Sequence, residues 1–249
     1  MGRALLITGA SSGIGRATAM ALARRGYRLA LTARRETLLA QAAREIEAAV
    51  PGARVTIRAV DVTDPDAVAA AIPWAAEALD GLDAVFANAG IGSGGRVGSG
   101  QLAADLRCVQ VNLLGAMATL DAALAWFRAH GGGQLIATGS VAGFRGLPGT
   151  AAYSASKAGL AAYLEALRAE TLAEPIEVTA IYPGFIDTPI NQGLRSRPFL
   201  IDAADGGERI ARHIERRSAR AVVPAWPWAM ARYLLPLLPT RLLAGRGLR

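Results

Sequence analysis

A chain of 249 residues, 52% of them hydrophobic, can bury a substantial core as one α/β domain or two small ones. Its single cysteine, Cys108, excludes a disulfide framework and a cysteine metal cluster, and with only His130 and His213 beside it no metal ligand set is expected. The net charge of +7 suits an anionic partner, but the arginines are scattered over helix faces with no long basic run or aromatic RNA-binding motif, so no nucleic-acid partner is expected.

Met1-Gly2-Arg3-Ala4 leads directly into an apolar run, leaving no room for a signal peptide, and a reducing cytoplasm is the expected location. Short apolar runs at 4–8, 27–31, 54–60, 82–87, 134–138, 177–181 and 221–223 read as strands. Alanine-rich stretches at 13–25, 36–49, 64–79, 101–129, 151–172 and 202–215 lie between them and read as helices. The interior runs lack period-two alternation, as strands do when both faces of a parallel sheet are covered. Asp64-Pro65 is a helix start, with Asp as N-cap and Pro at the first helical position. Alternating strands and helices predict right-handed crossovers, hence an α/β, doubly wound parallel sheet of about seven strands with helices on both faces. No linker, repeat or low-complexity segment marks a second domain. Residues 1–224 read as one domain and 225–249 as an apolar C-terminal extension.

Thr8-Gly9-Ala10-Ser11-Ser12-Gly13-Ile14-Gly15 follows the first strand and opens the first helix. In that context Gly9 permits a tight turn, Gly13 lets the backbone approach a pyrophosphate, and Gly15 lets the helix pack near the strand. The free N–H groups and positive dipole end of the helix then favour an anion, with Ser11, Ser12 and Ile14 beside it.

Lys157 is the only lysine among 27 basic residues. A position that keeps lysine in so arginine-rich a chain calls for a compact ammonium rather than a planar fork. It lies four residues after Tyr153, so on a helix the two side chains share a face. An ammonium ~4 Å from a phenol, at an effective dielectric of about 20, favours the phenolate by ~4 kcal/mol before desolvation. The pair therefore reads as a tuned general acid/base, although an ordinary surface Tyr and Lys would share the spacing.

The Gly-x-x-x-Gly-x-Gly spacing and the Tyr-x-x-x-Lys pair together resemble the short-chain dehydrogenase/reductase family, from Leu5 to about Val223. Asp61-Val62 at the end of the third strand, Asn88-Ala89-Gly90 at the end of the fourth, Asn112 in the next helix and Ser140 thirteen residues before Tyr153 all fall in family order. So does Pro183-Gly184-Phe185-Ile186-Asp187-Thr188 after the sixth strand. The resemblance implies a Rossmann-like fold and a nicotinamide cofactor. It implies that Asp61 and Val62 meet the adenine, and that Pro183, Gly184, Ile186 and Thr188 lie beside nicotinamide and phosphates. It further implies that Tyr153 exchanges a proton with the substrate oxygen while Ser140 holds that oxygen. Lys157 would bridge the ribose and depress the phenol's pKa, and Asn112 would hold a relay water.

The second strand ends Leu31-Thr32-Ala33-Arg34-Arg35. An NAD enzyme of this topology carries an acid there for the ribose 2′-hydroxyl. Ala33 stands in its place and two guanidiniums suited to a phosphate follow, so NADP(H) is the expected cofactor, with Arg34 ahead of Arg35.

A non-catalytic NADP-binding regulator would have no need of Ser140, Asn112, Tyr153 and Lys157 together. A 3-oxoacyl carrier-protein reductase is the nearer rival, but Pro224-Ala225-Trp226-Pro227-Trp228 departs from that group's short glycine-containing end. The extension reads as a cover over the pocket or a subunit partner, as a membrane-surface anchor, or as a poorly ordered end. The first is favoured because prolines 227, 236 and 239 interrupt an amphipathic face. Ile91, Val141, Phe144, Leu147, Phe185, Ile190 and Leu194 are expected to line an apolar pocket for a small carbonyl or alcohol substrate. Ala155, Gly159, Ala162 and Ala166 form a stripe of small residues on the Tyr153 helix, and the family pairs this helix between subunits. A homodimer or homotetramer is therefore expected.

Overall fold

The computed structural model describes residues 2–194 and 196–243; residues 244–249 of the predicted extension lie outside them. Seven strands, β1 (Ala4–Thr8), β2 (Arg28–Ala33), β3 (Val55–Ala59), β4 (Ala84–Ala87), β5 (Gly133–Thr138), β6 (Ile176–Pro183) and β7 (Arg220–Val223), form one parallel sheet. Their spatial order is 3-2-1-4-5-6-7. The chain leaves β1 in one direction and returns on its other side at β4, which opens a crevice at the carboxyl ends of those strands.

Eight helices cover the sheet: α1 (Gly13–Ala23), α2 (Glu36–Ala49), α3 (Pro65–Ala78), α4 (Leu102–Val109), α5 (Gly115–Ala129), α6 (Ala151–Glu170), α7 (Ala203–Glu215) and α8 (Trp228–Leu234). Successive β1 side chains enter opposite cores. Leu5 and Ile7 pack with Leu22 of α1, Leu39 of α2 and Ile210 of α7. Ala4 and Leu6 pack with Ile72 of α3, Leu120 of α5 and Leu164 of α6. Both faces are therefore apolar, which accounts for the missing alternation. Each fully buried Leu or Phe contributes roughly 1.5–3 kcal/mol.

The Asp64 carboxylate accepts from the Asp66 and Ala67 N–H groups at 3.1 Å and starts α3 at Pro65. The predicted 101–129 helix departs from regularity, with α4 and α5 joined by a π-helical turn, Gln110–Leu114. Such turns are rare and often lie at functional sites, and Asn112 lies inside this one. The stretch Leu102–Ala129 is long and apolar enough to span a membrane, with a mean hydropathy of 1.4, but half of that window is buried, as in a core helix.

The extension is more regular than its prolines suggested. Pro227 occupies the N-cap of α8 and Pro236 the turn after it, positions where a missing N–H disrupts no helix.

Candidate active site

The carboxyl ends of β1, β4, β5 and β6 open onto a cavity of about 620 Å³. The β1–α1 turn forms one end. Gly9 holds φ +68° and lies so close to Ala89 that a Cβ would sit 2.6 Å from its Cα. Gly13, at φ +57°, begins α1, and Ser11, Ser12 and Ile14 join it in the lining. The Ser12 side chain caps no N–H of α1 and no acid occupies the first turn, so the helix end keeps its capacity for an anion. Gly15 lies behind the lining, where a Cβ would come 2.5 Å from Asn88 Nδ2. It sets the packing of α1 and is not itself at the cavity.

Ala33, Arg34 and Arg35 form the outer wall of the same end. The Arg34 guanidinium is half-exposed, 3.9 Å from the Asp61 carboxylate, and Arg35 donates to Ser12 Oγ at 3.5 Å. Asp61 also accepts from Arg107 at 3.2 Å and from the Thr63 N–H and hydroxyl. Burial pushes its carboxyl up, but Thr63, Arg34 and Arg107 outweigh that and hold it below the usual carboxylate range. Val62 lines the cavity beside it.

Between the two ends runs a buried polar network that spacing alone did not reveal. Thr8 Oγ1 accepts from the Asn88 and Ala89 N–H groups at 3.0 and 3.1 Å. The Asn88 amide donates to Thr8 O at 3.0 Å, and its oxygen accepts from Thr138 Oγ1 at 3.0 Å. These bonds lock the ends of β1, β4 and β5 together, and Ala89 and Gly90 line the cavity above them.

At the other end, Ser140 follows β5 and Tyr153 and Lys157 project from the first turns of α6. Ser140 Oγ accepts from the Ala142 N–H at 3.1 Å, and Ser140 lines the cavity together with Tyr153. Lys157 is 3% exposed and donates to Thr138 O at 2.7 Å, with Nζ 5.9 Å from the Tyr153 ring centroid. The expected balance between the pair is not what this geometry produces. Burial dominates Tyr153 and pushes its phenol up, with Ser140 pulling it partly back. Burial likewise lowers Lys157, to about 8. Desolvation, set aside in the sequence argument, is the larger influence for both groups.

The remaining expected residues divide. Pro183, Gly184 and Thr188 line the cavity, whereas Ile186 is buried in the core and its side chain packs against Gly206. Asn112 is fully buried. Its Oδ1 accepts from the Ile91 N–H at 2.8 Å and its Nδ2 donates to Ile91 O at 2.9 Å. The side chain thus pins the loop after β4 to the π turn rather than facing the cavity. Ile91, Val141, Leu147, Phe185, Ile190 and Leu194 line the apolar end, but Phe144 turns away onto the Tyr182 ring, 5.3 Å between centroids.

The lining also holds residues that no local motif marks, Ser93 among them, buried with no partner for its hydroxyl among the described residues. From the extension expected to cover the pocket, Trp228 presses its indole N–H side against Gly184, edge-on to Phe185 and Phe199.

The chain is similar to known proteins along most of its length. A family model described as short chain dehydrogenase matches residues 3–198. An uncharacterized oxidoreductase of Mycobacterium tuberculosis is 40% identical over 239 residues, covering 96% of this chain and 94% of its own. A short-chain dehydrogenase/reductase from Burkholderia phymatum in complex with NAD aligns with a TM-score of 0.83 at 25% identity, over 93% of this chain and 92% of that one. An alcohol dehydrogenase from the archaeon Thermococcus sibiricus, complexed with 5-hydroxy-NADP, aligns at 0.79 and 28% identity, over 89% and 94%. The chain therefore belongs to the short-chain dehydrogenase/reductase family and is one of its oxidoreductases.

Proposed function

We propose that this protein transfers a hydride between NADP(H) and a carbonyl or secondary alcohol of an apolar substrate, with Tyr153 as general acid/base. The observation that carries the reading is Tyr153, lining the cavity with Ser140 and beside buried Lys157, at the apolar end of a cavity whose other end is a glycine turn flanked by arginines.

The residues present fit a nicotinamide dinucleotide. Gly9 and Gly13 take the positive φ angles that the tight turn at the cavity requires, and the uncapped start of α1 favours a pyrophosphate. Asp61 and Val62 would hold the adenine side, and Asn88, Ala89, Gly90 and Thr188 the middle of the cofactor. Bound there, the cofactor supplies the hydride in reduction and accepts it in oxidation.

The chain's own groups handle the proton. Tyr153 donates its phenolic proton to the substrate oxygen as charge develops there, and Ser140 donates a hydrogen bond to the same oxygen. The Ala142 N–H takes up lone-pair capacity on Ser140, which orients the hydroxyl so that its proton is available. Lys157 Nζ spends one N–H on Thr138 O and keeps the others for a ribose hydroxyl or a water. The Asn112 bonds to Ile91 position the loop that closes this end.

NADP(H) is favoured over NAD(H) because Ala33 leaves no carboxylate to repel a 2′-phosphate. Arg34 and Arg35 with Ser12 supply donors, and the half-exposed Arg34–Asp61 pair at 3.9 Å costs little to separate. The same reading includes a cytoplasmic homodimer or homotetramer built through α6. Its Ala155, Ala162 and Ala166 are exposed beside exposed Leu102, Leu106 and Leu114 of the neighbouring helix, whereas Gly159 packs on Leu113 within the chain.

Steady-state kinetics with both cofactors test the proposal. NADPH should exceed NADH in kcat/KM by about ten- to hundredfold, and Arg34→Ala should remove most of the difference. Equal use of the two by the wild type overturns the NADP reading. No turnover with either, across ketones, aldehydes and secondary alcohols of increasing length, overturns hydride transfer itself.

A further inference from the structure

We propose that the outer face of the C-terminal segment docks on an anionic lipid bilayer, from which the cavity beneath takes up its apolar substrate. The docking stands on the surface alone; the delivery of substrate rests on the oxidoreductase reading above.

The segment is two-faced. Trp228 and Leu235, seven residues apart and so on one side of a helix, line the cavity. Met230, Tyr233, Leu234 and Leu237 occupy the opposite side and face outward, and Trp226 precedes them. Trp226 is 69% exposed, Tyr233 68% and Leu237 78%, values that for large apolar side chains on one short stretch mark an interaction surface. The segment is held in this pose by Arg145, which donates to Leu235 O at 3.2 Å, Pro236 O at 2.5 Å and Thr240 Oγ1 at 3.3 Å.

Charge selects the occupant. Residues 216–249 hold seven arginines and no carboxylate side chain, while the first 215 residues balance, and four of the seven, Arg232, Arg241, Arg246 and Arg249, follow β7. The scatter of arginines along the chain had concealed this. Arg217 and Arg220 are answered by Glu177 and Glu165, but Arg232 lies over the Tyr233 ring at the rim of the apolar face and Arg241 is exposed. A second copy brought up on a two-fold axis would set this positive face against itself. An anionic bilayer satisfies both features, with Trp and Tyr at interfacial depth, leucines below and guanidiniums among the headgroups. A substrate leaving the acyl region would then meet the opposite face of the same helix, which is already part of the cavity wall.

Flotation of the full-length protein tests this. More protein should float, by about tenfold or more, with phosphatidylcholine vesicles containing phosphatidylglycerol than with phosphatidylcholine alone, and high salt should reduce the difference. The triple variant Trp226→Ser, Tyr233→Ser, Leu237→Ser, which alters no residue lining the cavity, should lose that flotation while keeping its turnover of a water-soluble ketone. Equal flotation on neutral and anionic vesicles, or unchanged flotation of the variant, overturns the proposal. A variant that alters the oligomeric mass in light scattering, from a wild type that never floats, assigns the face to a second copy and overturns it too. Flotation without any turnover leaves the docking intact and removes only the delivery of substrate.

Discussion

The floor and the roof of the cavity are held by different physics. At the floor, Thr8, Asn88, Thr138 and Lys157 are all buried, and their polar atoms are bonded to one another or to strand-end main chain. At the roof, among the described contacts, the segment after β7 is tied down through Arg145 and by Trp228 against Gly184, Phe185 and Phe199. Proton transfer demands placement to a fraction of an ångström, and a closed network of buried bonds supplies it. An apolar roof is held by area, which tolerates repacking at small cost. On the proposed function, the floor would determine the chemistry and the roof would choose the substrate.

The largest expected effect tests the floor. Tyr153→Phe and Lys157→Arg should each lower kcat/KM by about 10²–10⁴-fold without unfolding the protein, as circular dichroism would verify. The arginine variant is the sharper of the two. It keeps the charge, but its fork must enter a slot bounded by Thr138 O and Gly90, whose absent Cβ would lie 3.7 Å from Nζ. Near wild-type turnover in that variant would mean that the floor is not tuned to an ammonium.

A pH profile gives a smaller effect. Burial lowers Lys157 to about 8, so its ammonium is present below that pH and is lost as pH rises through it. Burial pushes Tyr153 up, so the phenol keeps its proton over the same range. Ketone reduction should therefore fall about tenfold per pH unit on the alkaline side of pH ~8. A flat profile across that region would separate Lys157 from catalysis. The smallest effect tests the roof. Arg145→Ala should raise KM for a bulky apolar ketone about three- to tenfold, the loss of roughly one hydrogen bond, with kcat unchanged. An equal fall in kcat would show that roof and floor are mechanically one.

What the sequence disclosed follows the same division. The strands, the glycine turn, Ser140 and the Tyr153–Lys157 pair are short-range spacings, and spacing alone brings such residues onto one edge or one helix face. Side-chain direction after a strand is settled by tertiary packing. That is why Phe144 turned onto Tyr182, Ile186 entered the core, and no spacing marked Ser93 as part of the lining. The π turn was invisible because the bonds its Asn112 makes, to Ile91, join residues 21 apart. Depth of burial, which raises Tyr153, does not appear in a four-residue spacing.

The solitary lysine has a consequence for handling the molecule. Apart from the chain's amino terminus, Lys157 Nζ is the sole primary amine, and it is 3% exposed at the bottom of the cavity. Amine-directed reagents, from acylating dyes to surface-coupling esters and formaldehyde, thus find almost nothing to grip on the exterior. Any that reach Nζ have travelled through the substrate's own entrance. The protein arrives with a single internal tag, and the rate at which that tag is modified, with or without a dinucleotide present, measures how freely the entrance stands open.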